Sequence, residues 1–237
     1  MLRFHVASRY LPFMPSHLRE VIRLGWGGAK SNLLPGSILW VAGIVLVVLY
    51  YQVDAVADTL DHVGDFKLKF SPWFAIVSTA LFGSLIPWIL QALFSKGTSK
   101  QSFHQVPLLL VLWGIQGWEI DWLYRIQAML FGTGIDVTTI VQKTLVDQFV
   151  WVPFLGVPQL VLAYLFIENK CSLSACRRAL QRKPFLQRAI PLIIATWIVW
   201  IPSVSLIYLF PLALQLPLMN VILALWCLIL TFFAKNA

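Results

Sequence analysis

The sequence has 237 residues, of which 59% are hydrophobic and only 12% are charged. A soluble domain carries roughly 25% charged residues, and no soluble core of this size would hide so much apolar surface. The net charge of +8 does not indicate nucleic-acid binding, because the basic residues lie in separate loops and form no single patch. We therefore predict one all-α bundle of transmembrane helices.

The first predicted element is a basic N-terminal arm, residues 1–33. Within it, 16–30 has the pattern of a short interfacial helix, with Trp26 toward lipid and Arg19 and Arg23 at the headgroups. It is too short and too charged to span a bilayer. An Arg-rich, acid-poor start is also a feature of mitochondrial transit segments, and this alternative stays open.

Six apolar stretches follow, and each is near the length of about 20 residues that crosses a hydrocarbon core of ~30 Å. They are 34–52, 73–94, 105–131, 148–167, 190–209 and 217–234. We interpret 34–52 as an extra N-terminal membrane segment and 73–237 as the main bundle. The last two stretches form an apolar hairpin, so five spans with a re-entrant last segment is the alternative.

The distribution of Lys and Arg predicts the orientation. Basic joints alternate with neutral or acidic ones; the basic joints are 1–33, 95–104 and 168–189, and the others are 53–72 and 132–147. By the positive-inside rule, both termini then lie on the positive-inside face. That face belongs to a bacterial plasma membrane or to an organellar one, either mitochondrial inner or peroxisomal.

The third apolar stretch carries a polar and small-residue face. At about 100° per residue, one side of the helix displays Gly114, Gly117, Asp121, Tyr124 and Arg125. Charges at this depth are expensive and are expected to face the bundle interior. The Asp121–Arg125 pair either holds two helices together or lines a polar path that sets charge preference.

The fourth stretch begins with Lys143, Asp147 and Gln148. Asp147 either faces the bundle interior or starts the helix, where a carboxylate meets free N–H groups. The resulting hypothesis is a polar seam with Lys143 at its mouth, built from Asp121, Tyr124, Arg125, Asp147 and Gln148.

Signals for catalysis, metal binding or a cofactor are weak. The four histidines lie at or beyond the ends of the apolar stretches, and no catalytic or phosphate-binding motif is present. Cys171 and Cys176 share a basic loop with no nearby histidine, which argues against zinc. We expect no enzymatic activity and no cofactor.

One motif of the sequence carries a family resemblance: Lys143-x-x-x-Asp147-Gln148-x-x-x-x-Pro153. This pattern resembles the Mpv/PMP family of small peroxisomal and mitochondrial inner-membrane proteins. Two further blocks align in order with that family: the first contains Gly114, Gly117 and Tyr124, and the second contains Pro211, Gln215 and Trp226. The resemblance covers about 73–234 and leaves the first apolar stretch outside.

Several positions depart from the family pattern. Asp121 replaces a His, Leu123 a Trp and Gln215 an Arg, so any activity carried by those family residues is in doubt here. The resemblance implies a compact helical bundle and a pore-like role for small solutes or metabolites. The partners it suggests are the lipid bilayer, small solutes and further copies of the chain.

Two hypotheses of function follow. The first is a pore or channel that passes small hydrophilic solutes across an inner membrane. The second is a structural or assembly protein whose intramembrane polar pairs only hold helices together. A coupled transporter has less support, because no paired broken helices or internal repeat stand out in the sequence.

Overall fold

The computed structural model describes residues 16–94 and 105–236, and throughout these ranges the regular secondary structure is helical. The α-helices are α1 (Ser16–Ser31), α2 (Leu33–Gln52), α3 (Asp54–Phe70), α4 (Trp73–Ala80), α5 (Ile86–Phe94), α6 (Val106–Phe131), α7 (Val137–Val146), α8 (Val157–Glu168), α9 (Leu173–Arg182), α10 (Phe185–Ile207) and α11 (Leu212–Asn236). Two π-helical stretches, Leu81–Leu85 and Asp147–Gly156, join α4 to α5 and α7 to α8. The predicted all-α class is confirmed.

Most apolar stretches became helices close to their predicted bounds, but the fourth differs. The predicted start at residue 148 is wrong: one continuous helical segment runs from Val137 to Glu168. Its first turn is capped by Asp136, whose Oδ1 accepts a hydrogen bond from the Thr139 backbone N–H at 3.0 Å. Asp147 therefore lies inside the segment, and the alternative in which it starts the helix is also wrong.

By length and composition, two helices of the described residues are able to cross a membrane: Val137–Glu168 and Phe185–Ile207. The number rises to three if the pair Gly36–Gln52 and Asp54–Phe70, bent by 103°, counts as one span. Two shorter apolar helices, Trp73–Ile89 and Leu212–Leu225, fall below that length. Six spans and the orientation of the termini remain predictions.

The outer surface of the fold is apolar. Trp73, Met129, Val137 and Phe154 are each at least 70% exposed, and many other large hydrophobic side chains are more than one-third exposed. Soluble monomers seldom expose contiguous apolar patches of more than a few hundred Å². This surface, together with the long apolar helices, is compatible with membrane association.

The core is centred on α11, which contacts α2, α3, α4, α5, α6 and α10. Its first half contributes the largest share of the main hydrophobic cluster, including Leu214, Leu216 and Leu223. The start of α11 is fixed by Gln215, whose Nε2 donates to the Phe210 carbonyl at 3.1 Å. Pro211, just outside the helix, is exposed.

Glycines bring α4 and α6 into close contact. A Cβ at Gly117 would overlap the Thr79 side chain and the Ala75 carbonyl oxygen, and a Cβ at Gly114 would touch Ile76. Only small residues allow backbones this close. The polar face of α6 is thereby held at a fixed position beside α4.

The joint between the first two predicted spans is itself a helix. After the 103° bend at Val53, α3 packs against α11 and α2, and Gly64 of α3 faces Ala213 of α11. A helix is present where the interfacial helix was predicted, as α1, and it packs along α10. Its position at a membrane interface stays a prediction. Residues 1–15 of the N-terminal arm and the whole of the basic joint 95–104 lie outside the described residues.

Candidate functional site

Asp121 lies at the centre of the first polar cluster. The Lys67 Nζ of α3 is 2.6 Å from Asp121 Oδ1, and both side chains are buried. The expected partner, Arg125, is also present, with its Nε donating to Asp121 Oδ2 at 2.8 Å. Two cations thus hold one carboxylate, which leaves the cluster with a net positive charge.

Ser71 completes this cluster at the turn between α3 and α4. Its hydroxyl donates to Asp121 Oδ2 at 3.3 Å and accepts from Arg125 Nη2 at 2.6 Å. The Arg125 side chain is 39% exposed, whereas that of Lys67 is only 1% exposed. The buried charge of Lys67 therefore depends on Asp121 as its counter-charge, whereas the charge of Arg125 can also reach the surface.

Asp147 lies at the centre of the second polar cluster. Its Oδ2 accepts a hydrogen bond from the Tyr208 hydroxyl at 2.8 Å, and its Oδ1 accepts one from Gln148 Nε2 at 2.6 Å. Among the described residues, no Lys or Arg nitrogen lies within 4.0 Å of this carboxylate. Asp147 is buried with neutral donors alone, in contrast to Asp121.

Aromatic rings connect this cluster to α6 and α7. The Tyr124 ring packs edge-on against the Tyr208 ring with centroids 5.6 Å apart, and Lys143 Nζ lies 5.8 Å from the Tyr208 centroid. Lys143 is buried, so it does not sit at an open mouth as the sequence hypothesis placed it. The structure thus brings Tyr124, Lys143, Asp147 and Gln148 together around Tyr208.

The π-helical stretch Asp147–Gly156 positions the second cluster. A π-helical turn contains more residues than an α-helical one, and Pro153 within the stretch cannot donate a backbone hydrogen bond. Neighbouring helices bind its carbonyls: Trp197 Nε1 donates to Gln148 O at 2.8 Å, and Gln116 Nε2 donates to Gly156 O at 3.3 Å.

A partly open cavity of about 120 Å³ lies beside Asp147 and Gln148, between the helices of the bundle. Its aromatic lining consists of Trp113, Tyr124, Trp151 and Trp200. Its polar lining consists of Gln116, Asp147, Gln148 and Thr196. This volume is large enough for several water molecules or one small organic molecule.

Sequence reasoning missed two contributors to these clusters. Lys67 was assigned to a joint outside the membrane, and Tyr208 had no assigned role. The structure also places Trp151 and Trp200 in the cavity wall. The sequence offered one weak signal for Lys67, its position at the end of an amphipathic joint. No local spacing pairs Lys67 with Asp121, which lies far away along the chain.

The residues of the family-like blocks fall in separate places. Gly114 and Gly117 face α4, Pro153 lies in the π-helical stretch, and Pro211 and Gln215 surround the start of α11. Trp226 lies in α11, and its side chain is outside the described set. In the part of the chain that the structure covers, no three His, Cys, Asp or Glu side chains form a group able to hold a metal ion.

Comparison with known proteins gives no match: no family model, no curated protein and no solved structure is significantly similar to the chain. The resemblance to the Mpv/PMP family therefore stays a prediction that rests on the quoted residues.

Proposed function

We propose that this chain is a polytopic membrane protein that passes small hydrophilic solutes across an inner membrane. In this proposal the chain crosses the bilayer six times, and both termini lie on the positive-inside face. The observation that carries the proposal is the partly open cavity beside Asp147 and Gln148, because a solute path needs space and polar groups between the helices.

The structure favours Asp147 over Asp121 as the polar centre of such a path. Asp121 already has two cations and a hydroxyl around it, so it has little capacity to bind a passing solute. Asp147 has neutral donors only and borders the cavity. Tyr124, at the packing contact with Tyr208, lines the same cavity.

The second candidate function, a structural or assembly role, has its own support. The buried contact of Lys67 with Asp121 joins α3 to α6. Such a contact stabilises the packing of two helices, and a solute is not needed to explain it. A protein with this role alone would leave vesicles tight. The two functions are therefore separated by one type of measurement.

The test is release of solutes from liposomes that contain the purified protein. A graded series of neutral and charged small solutes is loaded, and release is compared with that from empty vesicles. We expect release with a size or charge limit, and we expect Asp147→Asn to change that limit. Asp136→Asn is the matched control, because Asp136 caps α7 outside the cavity.

Tight vesicles around folded, inserted protein would overturn the pore proposal in favour of the structural role. Release that is identical for wild type and Asp147→Asn would place the path elsewhere in the bundle. Circular dichroism and size-exclusion chromatography of each variant establish that it is folded before release is compared.

A further inference from the structure

The cavity beside Asp147 combines two features that together select a ligand. Its wall contains three tryptophans and a tyrosine, which present electron-rich ring faces. It also contains the buried carboxyl group of Asp147, which has no Lys or Arg nitrogen within 4.0 Å among the described residues. The ammonium of buried Lys143 lies against the Tyr208 ring, 5.8 Å from its centroid, and makes no ion pair with this carboxylate. A positive charge that carries apolar groups matches both features.

The electrostatic part of the argument starts from the cost of burial. Removing an ionised carboxylate from water without a contacting cation is costly, and hydrogen bonds from Tyr208 and Gln148 offset only part of that cost. A cationic ligand in the cavity supplies a counter-charge in contact with the carboxylate.

The chemistry of the lining favours an organic cation over a metal ion. A metal ion would need several oxygen, nitrogen or sulfur ligands, whereas Asp147 has no other acidic, His or Cys side chain grouped with it among the described residues. Aromatic walls instead attract alkylammonium groups through the ring faces. Aromatic cages of this kind bind quaternary ammonium ligands.

Three buried polar atoms of the lining residues have no hydrogen-bond partner in the described structure. They are Trp113 Nε1, Trp151 Nε1 and Gln148 Oε1. The first two are donors and the third is an acceptor. A hydroxyl group both donates and accepts, so a ligand with a hydroxyl near its charge would satisfy two of these atoms.

We propose that this cavity binds a small hydroxylated alkylammonium cation, with the ammonium group between Asp147 and the tryptophan rings. The same chemistry occurs in a free amino alcohol and in the choline headgroup of a lipid. This proposal rests on the proposed function, because it names the class of solute that the path would accept. Binding is nevertheless measured without any flux.

The experiment is calorimetric titration of the intact protein in a maltoside detergent with choline. Dimethylbutanol, in which carbon replaces the charged nitrogen, is titrated as the uncharged counterpart. We expect saturable binding of choline to one site and at least about tenfold weaker binding of dimethylbutanol. Glycerophosphocholine is the second ligand, and tighter binding of it than of choline would identify a lipid headgroup as the source.

Two variants locate the site. Asp147→Asn should weaken choline binding by about tenfold or more and leave dimethylbutanol unchanged, because only the charge contact is lost. Trp151→Phe keeps an aromatic ring and removes one donor, so it should weaken choline less; it also keeps the test informative if Asp147→Asn does not fold. Asp136→Asn is the control and should bind as wild type does.

Equal affinity for choline and dimethylbutanol would overturn the proposal, since the cavity would then recognise shape alone. Absence of choline binding would also overturn it. Either result leaves the vesicle measurement unaffected. Conversely, the protein could bind choline while its vesicles release no solute. That result would support this binding proposal and overturn the proposed pore function.

Discussion

The Tyr208 hydroxyl donates to Asp147 Oδ2 at 2.8 Å and so joins the end of α10 to the π-helical stretch between α7 and α8. Both residues are buried, and the Tyr208 ring also contacts Tyr124 and Lys143. One tyrosine therefore links three helical segments at the edge of the cavity.

Replacement of Tyr208 by Phe should remove this hydrogen bond while the ring contacts remain. We expect a loss of about 1–3 kcal/mol, because a buried acceptor loses one of its two donors. The free energy of unfolding in mixed detergent micelles measures the loss. An unchanged value would show that the hydroxyl contributes nothing to stability.

The Lys67–Asp121 contact makes a stronger prediction. Asp121→Ala leaves the ammonium of Lys67 buried without a counter-charge, and removal of one partner of a buried pair costs about 3–5 kcal/mol. We expect a large fall in the unfolding temperature in detergent. The double variant Lys67→Met with Asp121→Leu should recover much of the loss, because no isolated buried charge remains. A double variant as unstable as Asp121→Ala would contradict this explanation.

Gly117 tests the close packing of α4 and α6. In Gly117→Ala the added Cβ overlaps Thr79 and the backbone of Ala75, and we expect a cost of about 1–3 kcal/mol. Gly27→Ala is the matched control, since a Cβ there meets no atom within 4 Å and should stabilise α1 slightly. Thermal unfolding of both variants in the same detergent gives the comparison. Equal unfolding temperatures for Gly117→Ala and Gly27→Ala would refute close packing at Gly117.

Asp136 gives a prediction for acidic pH. Hydrogen bonds from the Thr139 side chain and backbone lower the pKa of Asp136 below its ordinary value of 3.8. The stabilisation from this group is therefore complete above its ordinary pKa and is lost as pH falls through the lowered pKa. Asn keeps an oxygen at the cap and does not titrate, so Asp136→Asn should lose less stability than wild type on acidification. Unfolding temperatures between about pH 5 and pH 2 test this, and parallel curves would contradict it.

Cys171 allows a test of orientation. It is exposed and lies in the basic joint 168–189, which the positive-inside rule places on the inner face. A membrane-impermeant maleimide should label it in inverted vesicles and not in right-side-out ones. Cys171→Ser is the control that assigns the signal, because Cys176 and Cys227 remain in that variant. Labelling from the outer face would reverse the proposed topology.

Most of the helical architecture could be predicted from the sequence, because the length of an apolar stretch is a local signal. The bounds of α2 and α6 agree with the predicted stretches 34–52 and 105–131 within about one residue. The start of α7 was missed, because Asp136 and the polar residues after it had the composition of a loop. What makes 137–147 helical is packing of Thr139, Lys143 and Thr144 into the bundle, and such tertiary burial is not visible in local composition.

The polar clusters were predicted in part. Asp121 and Arg125 are one helical turn apart, so periodicity was sufficient to pair them. The hydrogen bond between the adjacent residues Asp147 and Gln148 was not predicted. Lys67 and Tyr208 come from distant parts of the chain, and only the bend at Val53 and the packing of α10 bring them to the two carboxylates. The cavity depends on the π-helical stretch, whose extra residues per turn break the 100° periodicity used to assign faces.

The bend after α2 has a consequence for biogenesis. During synthesis, α3 leaves the ribosome well before α6, so Lys67 is made when Asp121 does not yet exist. A lone ammonium is costly inside a membrane, so in the proposed topology we expect Lys67 to stay near water until α6 has packed beside it. The bend of 103° at Val53 is compatible with this delay, because α3 can then rest at the membrane surface while α2 inserts. We therefore expect burial of Lys67 to be a late step of assembly, completed only after Asp121 on α6 has reached it.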